Sequence, residues 1–220
     1  MNRLPLLMAL GLGIFLSGPA FATGPDRSKL PGLSGSTVWA PPTVQTWTMP
    51  NGIAVWYLEQ RQAPLLSMRI VLPHGASTDP TGKEGTTALM VDMLDEGAGD
   101  RDALTLSEAF QRLAADYGAA PGTDTIGFDM NLLADTLEPA LALLSDVLRR
   151  PTFPTAEFDR RKAQSIARAM ASEANLAAAA SRVRRRVLFG AGYAAYPPSG
   201  IKTTLEAVTL DDVKAQYAAL

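Results

Sequence analysis

The chain predicts an α+β fold, an antiparallel sheet covered by helices, and three observations carry that prediction. Short alternating segments cluster ahead of residue 73. Capped segments of helical period follow them, and one further alternating segment, Thr125 to Leu132, interrupts the helices and should rejoin the sheet.

The elements run in order from an N-terminal targeting signal. Arg3 gives a positive start, Leu4 to Leu16 an apolar stretch, and Ala20, Phe21 and Ala22 a small-residue cleavage site. That stretch is 13 residues long, short of the roughly 20 that a membrane-spanning helix needs. Residues 1–22 therefore predict a secretory signal and an exported chain, periplasmic or secreted, with no membrane segment after cleavage. Residues 23–42, rich in Gly, Pro and Ser, predict an extended leader.

Val44 to Met49 alternates as a half-buried strand does, Asn51 and Gly52 give a hairpin turn, and Ile53 to Leu58 returns. Leu65 to Leu72 is a third strand entered by Pro64, and the three together predict an antiparallel meander. Glu84 to Glu96 predicts a helix stopped by Gly97. Thr105 to Glu108 has the form of a capping box and starts a helix through Phe110, Leu113, Ala114 and Tyr117, closed by Gly118. Asp135 to Glu138 has the same form and opens a helix with Leu137, Leu141, Leu144 and Leu148 as its buried stripe. After the break at Pro151 and Pro154, Thr155 caps a long helical region through Phe158, Ile166 and Met170 toward Leu188. A Gly/Pro loop spans Tyr193 to Ile201, and Thr209 to Asp212 opens a last helix that reaches Leu220 with no strand after it.

Composition narrows the chemistry. A net charge of −2 gives no electrostatic basis for nucleic acid or an anionic membrane as partner. With no cysteine, disulfides, zinc–thiolate sites and cysteine nucleophiles are excluded. His74 is the single histidine, so no two-histidine metal site can form within this chain. There is no G-x-G-x-x-G, P-loop or nucleophile-elbow serine.

Several residues keep two readings. His74, between Pro73 and Gly75, is a turn histidine or else a pH sensor or substrate contact. Asp92, Asp95 and Glu96 are solvated helix residues or attract a hard cation. Arg182, Arg184, Arg185 and Arg186 form a solvated basic face or an anion- or peptide-binding patch. Tyr193 and Tyr196 pack their loop onto the domain or touch a peptide.

An ordered set of motifs carries a family resemblance from about Val44 to Leu220. These are Asn51-Gly-Ile-Ala-Val-Trp-Tyr-Leu58, Gly75-Ala-Ser77, Gly82-Lys-Glu-Gly85, Leu94-Asp-Glu-Gly97, Pro151-Thr-Phe-Pro154 with Phe158 to Lys162, Tyr196-Pro197, Gly200 and Thr209-Leu-Asp-Asp-Val213. Together they resemble the N-terminal half of the insulinase-like (pitrilysin, M16) metallopeptidases. The resemblance implies an M16 peptidase-like domain of the LuxS/metallohydrolase-like kind, over 43–220 and truncated at its C-terminal end. It leaves the last strand or two of that half, and a second related half, outside the chain, so a sheet edge would be exposed.

In active relatives the central helix carries H-x-x-E-H, two zinc-binding histidines around a glutamate base. The matching positions here read Ala88, Val91 and Asp92. A third ligand, a glutamate on a later helix about 76 residues after the second histidine, maps onto Arg168. A guanidinium has no acceptor and cannot ligate a cation. The resemblance thus implies no catalytic, metal or cofactor residue in this chain. Asp92 and Arg168 either pair where the metal would lie or both point to solvent. It further implies a non-catalytic subunit walling a peptide-degrading chamber, heterodimeric with a zinc-bearing M16 partner that handles peptide substrates. The alternatives are a structural or assembly protein with this fold, or a metallopeptidase acting through an unrecognised site.

Overall fold

The computed structural model describes residues 40–220; the predicted signal and residues 23–39 of the predicted leader lie outside them. The chain divides into two compact units at Glu59 and Gln60, each described by itself.

In the first unit β1 (Gln45–Thr48) pairs antiparallel with β2 (Ala54–Tyr57), with Thr46 opposite Trp56. The turn is a little longer than a two-residue hairpin. The Gly52 N–H donates to Met49 C=O at 2.9 Å and the Met49 N–H to Ile53 C=O at 2.8 Å. Pro50 supplies the fixed φ of the first turn position, and only Gly52 takes positive φ, at 87°.

The second unit holds the core. β3 (Leu65–Leu72) does not extend the first hairpin into a meander. It pairs antiparallel along its whole length with β7 (Ile126–Leu133), from Leu65 opposite Leu133 to Leu72 opposite Ile126. β7 is the centre of a three-stranded sheet whose other edge is β6 (Asp116–Pro121). Alternation works as the sequence predicts: Leu66, Met68, Ile70 and Leu72 face the core beside Ile126, Phe128, Met130 and Leu132, while Ser67 and Asn131 face away.

The helix α1 (Thr86–Met93) is the centre of the packing. Leu89, Met90, Val91 and Met93 are all buried, so it is apolar round most of its girth, and only Ala88 and Asp92, one turn apart, leave a partly exposed side. It is shorter than predicted. The chain leaves the helix at Leu94 and enters a two-residue strand β4 (Gly97–Ala98), paired with β5 (Arg101–Asp102). Gly97 is not a helix stop; a Cβ there would strike the Thr152 hydroxyl, because the segment at Pro151 is bridged to Ala98.

The helix α2 (Ala103–Arg112) is capped by Asp102, whose carboxylate accepts from the Thr105 N–H at 2.8 Å, and not by a box at Thr105. It does not reach Tyr117. Ala114 adopts positive φ (48°), Ala115 N–H donates to Phe110 C=O, and Ala114 N–H to Gln111 C=O, which is a Schellman stop. The residues beyond it form β6. Phe110 and Tyr117 do stack, at 5.6 Å between centroids, but across a chain reversal.

The helix α3 (Leu137–Arg149) follows a 3₁₀ turn and has no side-chain cap, so the predicted box at Asp135 does not form. Its fully buried stripe is Ala140, Leu143, Leu144 and Val147; Leu137 and Leu148 pack at its margin and Leu141 is exposed.

The predicted long helix is two. These are α4 (Thr155–Glu173), with Pro154 and not Thr155 at its cap position, and α5 (Leu176–Phe189). Asn175 starts the second by accepting from the Ala178 N–H at 3.1 Å. Met170, predicted for the core, is half exposed. After the 193–201 loop come α6 (Lys202–Ala207), absent from the sequence reading, and α7 (Leu210–Ala218), which ends before Leu220. Thr209 and Asp212 form the predicted capping box of α7, with the Asp212 carboxylate accepting from the Thr209 N–H at 2.8 Å.

Candidate functional site

The start of α1 is fixed by groups outside it. Gly85, at φ 103°, has no side chain to cap the helix, and Asp79 does so instead. The Asp79 carboxylate accepts from the N–H of Gly85 (2.7 Å) and of Thr87 (2.8 Å) and from the Thr87 hydroxyl (2.6 Å). Burial pushes this carboxyl above the ordinary aspartate range, and the bonds from Thr87 and Gly85 pull it back only in part. Gly85 lies so close to the 197–201 loop that a Cβ would meet Leu205 and the Ser199 carbonyl. Lys83 binds Asp212 at 2.6 Å, and the Gln216 amide reaches the Thr87 hydroxyl at 2.8 Å, so α7 holds the same end.

With α1 so placed, a cleft of about 500 Å³ opens between it, α4, α5 and the 197–201 loop. Ala88, Asp92 and Arg168 all line it. Val91, matched by resemblance to the glutamate base, does not; it is turned into the core. The Arg168 guanidinium donates to Asp92 at 2.9 Å and to the Ser165 hydroxyl at 2.9 Å. The two side chains therefore pair and do not both point away. Arg168 remains 63% exposed and Asp92 31%, so water screens the pair and its net contribution is under about 1 kcal/mol.

These residues do not fit a zinc ion. Of the four, only Asp92 has a donor oxygen suited to a metal, and a permanently charged guanidinium lies against it. No group of three or more His, Asp or Glu side chains among the described residues converges as a metal site. The acidic exit of α1 is likewise no cation site. Glu96 is buried, and its two oxygens are bound by Arg160, at 2.6 Å, and by Arg161. Asp95 is part-buried, and its partial desolvation raises its carboxyl above the ordinary range.

The Glu96 pairing is the contact that sequence reasoning missed. Its signal was the adjacent Arg160 and Arg161 on the first turns of α4, of which the local Glu157 binds only Arg160, at 2.7 Å. His74 lies outside the cleft, 2.9 Å from the Thr78 hydroxyl and 3.0 Å from the Gln216 amide nitrogen, as a turn histidine should. Of the basic residues on α5, Arg182 and Arg185 line the cleft, whereas Arg186 stacks over Tyr196 at 5.2 Å. Tyr193, at the start of the 193–201 loop, is half exposed.

The architecture is an α+β domain built round one buried helix that carries a metallopeptidase frame without its histidines. The chain belongs to the insulinase family (peptidase family M16), whose family model matches residues 55–195. It is 22% identical over 166 residues to the "Non-peptidase homolog YmxG" of Helicobacter pylori, covering 76% of this chain and 38% of that one. Its fold matches a crystal structure of a peptidase M16 inactive domain from Pseudomonas fluorescens with a TM-score of 0.75 and 30% identity, over 80% of this chain and 43% of the other. Pitrilysin gives a TM-score of 0.67 at 20% identity over 80% of this chain and 19% of its own, a likeness of fold alone. The chain thus spans less than half the length of each of these relatives.

Proposed function

We propose that this chain is a non-catalytic M16 subunit that forms one wall of a peptide-degrading chamber, with the zinc and its water-activating chemistry supplied by a partner subunit. The observation that carries the proposal is the Asp92–Arg168 pair: in the cleft where the resemblance places zinc, two side chains satisfy each other and leave no metal donor set. The non-peptidase character of the Helicobacter pylori relative and the inactive M16 domain from Pseudomonas fluorescens support the same reading. The predicted signal at residues 1–22 adds that the work is done outside the cytoplasm, in the periplasm or beyond.

The test is reconstitution. The chain is co-expressed with an H-x-x-E-H homologue from the same genome, and complex formation and peptide cleavage are measured. The proposal expects a stable heterodimer that cleaves peptides faster than the homologue alone. A homologue that ignores this chain, with unchanged activity, would move the chain to the structural or assembly role.

A further inference from the structure

The same cleft has a charge pattern that its lost metal does not explain. Its charged lining is three guanidinium groups, Arg168, Arg182 and Arg185, against one carboxylate, Asp92. The first arginine is paired with Asp92, and Arg182 lies 3.6 Å from Glu173. Arg185 has no ion-pair or hydrogen-bond partner among the described residues, although it is only part-exposed. A half-buried guanidinium without an acceptor forfeits charge-assisted bonds that a ligand carboxylate would supply in bidentate form.

The rest of the wall decides the kind of ligand. A volume of about 500 Å³ is in the range of sites for drug-sized ligands, the scale of a short peptide segment, and is far larger than one inorganic anion fills. Ser172 and Ser199 add hydroxyls, while Ala169, Ala178 and Ile201 give apolar wall. Donors spaced along an apolar cleft suit a peptide with acidic side chains better than a compact, fully charged anion.

We propose that this cleft is a binding site for acidic peptide segments, with Arg185 as the anchoring cation and Arg182 beside it. The inference deepens the chamber reading above by naming the class of peptide this subunit would hold. An exchange of metal for arginine then changes what the cleft does: a site that in active relatives polarises a carbonyl becomes one that selects carboxylates.

The experiment is a binding titration of the full chain at low ionic strength with four probes. They are an acetylated and amidated tetraglutamate, the tetraglutamine and tetralysine equivalents, and inorganic phosphate. Only tetraglutamate should bind, with an affinity that falls as salt rises. Arg185→Gln should weaken it about tenfold, the scale of one charge-assisted contact. Arg185→Lys should fall between the two, since it keeps the charge and loses the fork. Unchanged thermal midpoints for both variants would show that folding is not the cause. Equal binding of tetraglutamate and tetraglutamine, phosphate binding as tight as tetraglutamate, or an R185Q variant with wild-type affinity would each overturn the proposal. Cleavage of a neutral peptide by the reconstituted heterodimer reads the chamber role separately. If that fails while tetraglutamate still binds, the acidic site stands and the chamber does not.

Discussion

At the scale of single residues, magnitudes rank the contacts differently from their appeal. The Asp92–Arg168 pair invites description as a replacement for a zinc cross-link, yet its exposure makes it a surface ion pair. Asp92→Asn and Arg168→Gln should each lower stability by less than about 1 kcal/mol in urea titrations, and a loss of several kcal/mol would show that the pair is a true cross-link. Ala114 shows the opposite case, a small residue under real strain. It takes φ 48° where a Schellman stop favours glycine, and Ala114→Gly should stabilise the domain by about 0.5–1 kcal/mol on thermal or urea unfolding. Asp102 supplies a pH dependence. Hydrogen bonds from the Thr105 hydroxyl and N–H hold its carboxyl below the ordinary aspartate value. Because the folded value lies below the unfolded one, the unfolded chain binds more protons in that window. The stabilisation is therefore present above about pH 4 and is lost as pH falls through the folded value. Carboxyl NMR titration should place Asp102 below free aspartate; a midpoint at or above it would contradict the cap.

At the scale of elements, the turn that leaves α1 is tied to α4 by the buried Glu96, held by Arg160 and Arg161. Glu96→Gln leaves one arginine without its carboxylate acceptor, and the mutation should destabilise by about 2–3 kcal/mol in equilibrium unfolding, well beyond either Asp92 or Arg168 variant. The same comparison shows what the sequence made legible. Period-2 alternation located β3 and β7, and the Thr209–Asp212 box located α7, because each signal is local. The strand β6 was hidden, since Phe110, Leu113 and Tyr117 keep helical spacing while an alanine, not a glycine, makes the stop. The pairing of β3 with β7 was hidden too, because partners about sixty residues apart leave no trace in either segment alone. In the cleft, the family motif located Ala88, Asp92 and Arg168, which meet there. Arg185 was legible only as one of a basic run, since which arginine faces inward depends on the break at Asn175 that begins α5.

At the scale of the whole molecule, the chain has an M16 fold in which the positions that bind metal in active relatives read Ala88, Asp92 and Arg168. Apart from Thr86 and Thr87 at its start, the buried face of α1 is apolar, so the helix does not need a metal to hold it in the core; each fully buried Leu or Met there contributes about 1.5–3 kcal/mol. The most direct test is zinc equilibrium dialysis of the purified chain with a peptidase assay on the same sample. The dialysed chain should hold zinc well below one ion per chain and show no cleavage above background, with its unfolding midpoint unchanged by chelator. One zinc bound per chain, together with peptide cleavage that chelator abolishes, would contradict that expectation.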